Sequence, residues 1–221
     1  MNKFFLLFGL ISFFAFSSCT PEQKDTAHEI TAKKTDTVIV DCNYSFEEAI
    51  EGSKAPKSIL KQLKLIDVQY YSTDGKIHAG QVLTNEKLVD DLVHLFKFML
   101  QEHFPIAQVI PIVKYNWDDN LSMLANNSSS FCYRDVSFSK HASGMAIDIN
   151  PYFNPVRWKA PYLHRHNKPA GAVYNPRVLG TFRYSHPVVL EFQKYGFRWG
   201  HTFKRNFDDH HFEKKISELL V

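Results

Sequence analysis

The chain has 221 residues, with 26 Lys plus Arg against 23 Asp plus Glu and a formal net charge of +3. That excess is too small to argue for a nucleic-acid partner, and the basic residues are scattered as on an ordinary solvated surface. Once the atypical N-terminal segment is set aside, the remaining length suits one domain, with no internal repeat and no low-complexity stretch.

In chain order, Lys3 is followed by an apolar run from Phe4 to Phe16 and then by Ser17-Ser18-Cys19. A basic start, a short apolar core and small residues before a cleavage point describe a secretory signal over residues 1–18. The run is too short to span a bilayer, which takes roughly 20 apolar residues. Cys19 directly after two serines resembles a bacterial lipobox, whose cysteine is lipidated after cleavage. Phe16 stands where a lipobox usually carries Leu, and an ordinary cleaved signal peptide is the alternative. Residues 19–41 are polar, rich in Thr, Lys, Asp and Glu, and lack aromatic rings. They bury too little apolar surface to offset the entropy of ordering and are expected to form a tether. The expected location is therefore exported, lipid-anchored to a bacterial membrane through Cys19, and facing the periplasm or the cell exterior. Residues 42–221 form the expected domain, as a monomer.

Ser45-Phe46-Glu47-Glu48 has capping-box spacing and opens a short helix, with another expected from Pro56 to Leu63. Leu65 to Tyr71 and Ile77 to Leu83 read as a strand pair around an Asp74-Gly75 turn. Asn85 begins the longest helix: Leu88, Leu92, Leu95, Phe96, Met99 and Leu100 share one face, and Pro105 ends the pattern. Ile106 to Tyr115 is β-branched and predicts a buried strand, followed by a polar loop over 116–130. Short strands are expected over Phe131–Arg134 and Ala146–Asn150. Residues 151–176, rich in Pro, Asn and aromatic residues, form a long loop of the kind that is often functional. Ser185-His186-Pro187 opens a helix through Lys194 that Gly196 closes. Strands at Phe197–Gly200 and His211–Glu213 and a last helix over Lys214–Leu220 complete an irregular mixture that predicts an α+β fold.

Two clusters carry the chemistry. One is Ser139-Lys140-His141-Ala142-Ser143-Gly144-Met145-Ala146-Ile147-Asp148; the other is Asp208-Asp209-His210-His211-Phe212-Glu213. His141 and Asp148 are too far apart on one helix to share an ion, but Gly144 favours a turn that brings both to one end of a sheet. With one more His from the distant cluster they supply three N/O ligands, the set an open catalytic zinc site needs, because the fourth position stays free for water. A lone His is most often a satisfied hydrogen-bonding residue; here it does not stand alone. Either His210 or His211 fits as third ligand. On a strand they would face opposite ways, so only one of them would bind. Asp208 stands three residues before His211, where a general base reaches that water; the bland reading is an acidic loop.

Arg134 precedes the turn and suits a substrate carboxylate or a developing oxyanion, against a default of a surface ion pair. Ser139 is a candidate substrate hydrogen-bonding residue, or simply a turn serine. Tyr152, Trp158, Tyr162 and Trp199 are candidate cleft aromatics, although aromatic residues in this number are more often core. His164 and His166 around Arg165 make a weak second metal cluster without an acidic partner. Of the cysteines, Cys42 and Cys132 are left for a disulfide that an exported compartment permits and the sequence leaves open. Neither lies in a C-x-x-C spacing, so a cysteine zinc site is not expected.

The pattern Ser-x-His-x-x-Gly-x-Ala-x-Asp, with a carboxylate-x-x-His near the end, resembles the zinc D-alanyl-D-alanine carboxypeptidases, a family that includes the vancomycin-resistance D,D-peptidases and the L-alanyl-D-glutamate endolysins. Asn126-Asn127-Ser128 leading to Ser130-Phe131-Cys132-Tyr133-Arg134, Asp148-Ile149-Asn150-Pro151, and Trp199-Gly200 ahead of His211-Phe212-Glu213 extend the likeness over roughly Leu65 to Glu213. The resemblance implies zinc on His141, Asp148 and His211, with His211 rather than His210 as ligand. It implies Asp208 as base and Arg134 for substrate charge; together with the residue readings above, Ser139, Arg134 and Trp199 are the expected substrate-binding residues. It further implies a small antiparallel sheet with flanking helices, the fold shared with the hedgehog signalling domain, and the stem peptides of bacterial peptidoglycan as substrate. His201 and His210 depart from the pattern, standing where Gly and Pro or a polar residue are common. The alternative function is a non-catalytic zinc-containing binding module for cell wall or protein on the same fold. A serine hydrolase lacks its glycine-flanked nucleophile elbow here.

Overall fold

Local turn and cap chemistry fixes the first half of the domain. The computed structural model describes residues 37–136 and 139–214. The expected signal segment, residues 19–36 of the expected tether and the terminal helix expected after Lys214 lie outside the described residues, while Ile39–Val40, at the end of the expected tether, are a strand. After β1 (Ile39–Val40) comes α1 (Phe46–Ala49). Its capping box is complete: the Ser45 side chain accepts the Glu48 N–H at 3.2 Å and the Glu48 carboxylate accepts the Ser45 N–H at 2.7 Å. One-turn α2 (Lys57–Leu60) leads into β2 (Leu63–Tyr71), which pairs antiparallel with β3 (Ile77–Asn85) from Leu63↔Asn85 to Tyr71↔Ile77. β1 joins β3 in parallel, giving the order β1-β3-β2.

The Asn85 side chain accepts the Lys87 N–H and opens a 3-10 turn (Glu86–Leu88) that runs into α3 (Val89–Gln101). Leu88, Leu92, Leu95, Phe96 and Met99 are buried in one core with Val68, Tyr70 and Val82 of the hairpin. Burial of each such side chain contributes about 1.5–3 kcal/mol.

The strand expected over Ile106–Tyr115 shrinks to β4 (Gln108–Val109). Pro111 has no N–H to offer a ladder and starts a 3-10 turn at Ile112–Tyr115 instead. The expected loop over 116–130 contains α4 (Asp119–Leu124), capped by Asp118, whose carboxylate accepts the N–H groups of Asn120 and Leu121. β5 (Asn127–Ser128) lies parallel to β4, upstream of the strand expected at Phe131–Arg134.

β6 (Ala146–Asp148) is followed by β7 (Val156–Trp158), which the long loop hides. α5 (Pro187–Lys194) is capped by His186. β8 (Phe197–Trp199), β9 (Asn206–Asp208) and β10 (His211–Lys214) follow. The second sheet has order β6-β10-β8, antiparallel throughout, while β7 and β9 form a separate antiparallel ribbon. The fold is α+β as expected. Among the described residues the strands form two three-stranded sheets, the second of them the small antiparallel one, and two two-stranded pairs, with two of the pairings parallel. Beneath the second sheet, Phe212 stacks on Phe192 at 4.1 Å between ring centroids and meets Phe182 edge-on at 5.2 Å. Among the described residues Cys42 and Cys132 form no disulfide.

Candidate metal centre and its cleft

The second sheet sorts its side chains by alternation. His211 pairs with Asp148, Phe212 with Ile147 and Glu213 with Ala146. Phe212 and Ile147 therefore face the core, where both are fully buried, and His211 and Asp148 meet on the other face. His141 reaches them from a 3-10 turn (His141–Ser143) that ends at Gly144 with φ +67°. A Cβ there would sit 2.6 Å from the Asn85 backbone nitrogen, so only glycine lets this turn dock on the end of β3. The Gly144 carbonyl accepts the Asn85 N–H and the Thr84 hydroxyl, each at 3.1 Å.

Three ligand atoms converge. His141 Nε2, His211 Nδ1 and Asp148 Oδ1 are 3.0–3.1 Å from one another, on buried residues. Ligands about 2.0–2.1 Å from one tetrahedral zinc ion stand about 3.3 Å apart. Hydrogen bonds behind the rings aim the lone pairs inward. His141 Nδ1 lies 2.7 Å from the Ser130 carbonyl, which can only accept, so the proton sits on Nδ1 and Nε2 is left free. His211 Nε2 faces Glu213 Oε2 at 3.4 Å, which frees Nδ1 in the same way. Burial raises the Asp148 pKa, but the imidazoles of His141 and His210 hold it well below the carboxylate range. Burial opposes protonation of His211; Asp148 and Glu213 more than reverse this and push it up to about 10. Once His211 gives up its proton to metal binding, two imidazole lone pairs and an ionised carboxylate aimed at one point fit a divalent cation.

Asp208 belongs to the ribbon, opposite Val156. Its Oδ1 is buried and has no hydrogen-bond partner among the described residues: His210 Nε2 lies 3.0 Å away but off the direction a hydrogen bond needs. Gly200 lets the turn close over this residue, because a Cβ there would lie 2.5 Å from the Asp208 carbonyl. His210 sits in the turn between β9 and β10, so the strand alternation expected to separate it from His211 does not apply. Its Nδ1 donates to the Asn154 carbonyl at 2.7 Å and its Nε2 faces Asp208 and, at 3.7 Å, Asp148. It lies beside the triad but outside the converging set.

Arg134 is held by Asp119 of α4 at 2.7 Å, and both line the cleft. This cavity, of about 730 Å³, is also lined by Ser139, His141, Asp148, Asp208 and His211. Trp199 does not line it. That ring is buried in the core, donates to the Asp209 carbonyl at 2.8 Å and stacks on His201 at 4.4 Å. Trp158 is the tryptophan on the cleft wall. His164 and His166 are exposed, and neither is part of a converging metal-capable group among the described residues.

Several supporting residues escaped the sequence reading. Asp209 is fully buried, bonded to Arg157 Nε at 2.7 Å and to His201 Nδ1 at 2.6 Å, and so anchors the turn that carries Asp208 and His211. His201 thus acts beneath the site rather than in the cleft. Asp119, Glu213 and the Ser130 carbonyl orient Arg134, His211 and His141. Only the Asp208-Asp209 doublet hinted at any of this, and its burial was not readable.

A family model described as D-alanyl-D-alanine carboxypeptidase matches residues 134–214, the segment that contains Arg134, the three converging residues and Asp208. No curated protein and no solved structure matches the chain.

Proposed function

With residues 134–214 matching the D-alanyl-D-alanine carboxypeptidase family, we propose that this chain is a zinc metallopeptidase. It hydrolyses peptide bonds in the stem peptides of peptidoglycan, as a D-Ala-D-Ala carboxypeptidase or an L-Ala-D-Glu endopeptidase. One observation carries the reading: three ligand atoms within 3.1 Å of one another, in one cleft with a buried carboxylate oxygen on Asp208 that faces His210 and accepts no hydrogen bond among the described residues. A structural metal site has no use for such a group.

His141, Asp148 and His211 would hold the ion. Bound there, the ion would supply Lewis acidity and would bring the acidity of water close to neutral pH. Asp208 takes the proton of the attacking water and returns it to the leaving amine. Arg134, braced by Asp119, offers a guanidinium to a substrate carboxylate or to charge growing on the carbonyl oxygen. The Ser139 hydroxyl is placed on the same wall to hydrogen-bond the substrate backbone. Burial of the site limits competing water and strengthens each of these interactions.

The test is to incubate zinc-loaded protein with purified muropeptides and follow the products by mass spectrometry. Release of D-Ala or splitting of an Ala-Glu bond is expected. Inertness with zinc bound would favour the binding module on the same fold. We also place the enzyme outside the cytoplasm on a lipid at Cys19, on the strength of the apolar run and the serines before that cysteine. Cys19→Ala is then expected to move the protein from the membrane fraction to the soluble fraction.

A further inference from the structure

We propose that the cleft continues past Trp158 into a cationic subsite that grips a carboxylate on the peptide arm of the substrate, about two to three residues from the scissile bond. The inference rests on the peptidase reading and adds a second point of recognition to it.

The β7–β9 ribbon is the ruler. Its pairs are Val156↔Asp208, Arg157↔Phe207 and Trp158↔Asn206. Val156, Asp208, Trp158 and Asn206 all line the cleft, while Arg157 turns to the buried Asp209 and Phe207 packs against His201. One face of the ribbon thus carries the base at one end and Trp158 at the other. At 3.3–3.4 Å per strand residue the two ends stand about 7 Å apart, the span of about two residues of extended peptide.

Beyond Trp158 lies a second cavity of about 560 Å³, which shares Asn120, Trp158 and Lys168 with the first. Arg165, His166 and Lys168 line it, and no Asp or Glu among the described residues does. Arg134, Arg157 and Arg198 each have a carboxylate partner, whereas neither Arg165 nor Lys168 enters an ion pair among the described residues. The Arg165 guanidinium and the Lys168 backbone are also held in place. Trp158 Nε1 donates to the His166 carbonyl at 2.9 Å, and the Arg165 guanidinium lies 4.7 Å from the Trp158 ring. Lys168 is bound to Val156 through both backbone hydrogen bonds, at 2.7 and 3.2 Å. A concave wall with fixed positive charge and no acid, joined to a peptide-cleaving cleft, suits a carboxylate borne by the same peptide.

Two peptides with one scissile bond test this, one with Glu and the other with Gln three residues from that bond. With the zinc-loaded full chain, kcat/KM for the Glu peptide is expected to exceed that for the Gln peptide about tenfold, the factor that 1.4 kcal/mol provides. In the Arg165→Ala/Lys168→Ala double variant the ratio is expected to fall to about one. A ratio of about one in the wild type overturns the subsite while leaving the peptidase reading intact. If neither peptide is cut, that reading fails by itself, and calorimetric binding to Asp208→Asn protein decides the subsite. Tighter binding of the Glu peptide, abolished by the double substitution, sustains it; equal affinities overturn it.

Discussion

His211 stands directly opposite Asp148 across the β6–β10 ladder, its Nδ1 3.1 Å from the carboxylate Oδ1. The pairing cannot drift. A slip of one residue would turn Phe212 out of the aromatic core and send both polar residues into it. The site is therefore built into the most constrained part of the second sheet, and the hydrophobic core sets its geometry.

Removing any one converging side chain should release the ion. His141→Ala, Asp148→Ala and His211→Ala are each expected to lower bound zinc from about one per chain to near zero, since a two-ligand remnant no longer closes the site. Elemental analysis of purified protein checks this. Full zinc retention in any of the three would remove that residue from the set.

Asp208→Asn should separate binding from turnover. The side chain keeps its shape but can no longer take a proton, so hydrolysis is expected to fall about 10²–10⁴-fold while zinc stays bound. Wild-type turnover in this variant would overturn the base assignment.

Arg157 is a stability residue at a distance from the chemistry. Asp209 has no exposed side-chain surface, and Arg157→Ala leaves its carboxylate to His201 alone. Breaking a buried pair from one side costs about 3–5 kcal/mol. A thermal melt should drop by roughly 10 °C. The Arg157→Ala/Asp209→Asn double variant is expected to lose less than the two single losses added together, because neutralising the partner removes the stranded charge.

His186 should make stability sensitive to acid. Its Nδ1 accepts the Val188 N–H at 3.2 Å and caps α5, which only an unprotonated nitrogen can do. Burial, together with the positive charge of Arg183, lowers its pKa below the ordinary value, with Glu102 opposing more weakly. The folded state thus binds this proton less readily than the unfolded chain. The cap contributes fully above the unfolded value of about 6.5 and is lost as pH falls through and below it. The loss is about 1 kcal/mol, the usual worth of a cap. Urea midpoints compared across this range should show it in the wild type and not in His186→Asn, whose amide caps at either pH.

Much of this was legible in the residues alone, because it was encoded locally. The Ser45/Glu48 capping box, the Asp74-Gly75 turn and the apolar face of α3 each follow from contacts within a few positions. Ser139 to Asp148 and Asp208 to His211 likewise announced themselves by residue type and spacing. Legibility failed where a long-range partner decided the outcome. Pro111 and Pro151–Pro176 read as strand and loop, while the structure has a turn at the first and hides β7 within the second. A two- or three-residue strand has no periodicity to detect; β7 exists because β9 pairs with it. Trp199 read as a cleft residue and is core, since burial depends on what packs above a ring and not on the ring.

The sequence by itself determined the helix caps, the hairpin and the identity of the candidate metal-binding and proton-handling groups, because short-range chemistry dictates these. Only the tertiary structure decided which groups meet, which carboxylate is sealed under the turn, and that a second cavity adjoins the first at Trp158. Those outcomes depend on register and packing between segments tens of residues apart, where no local preference chooses among the alternatives.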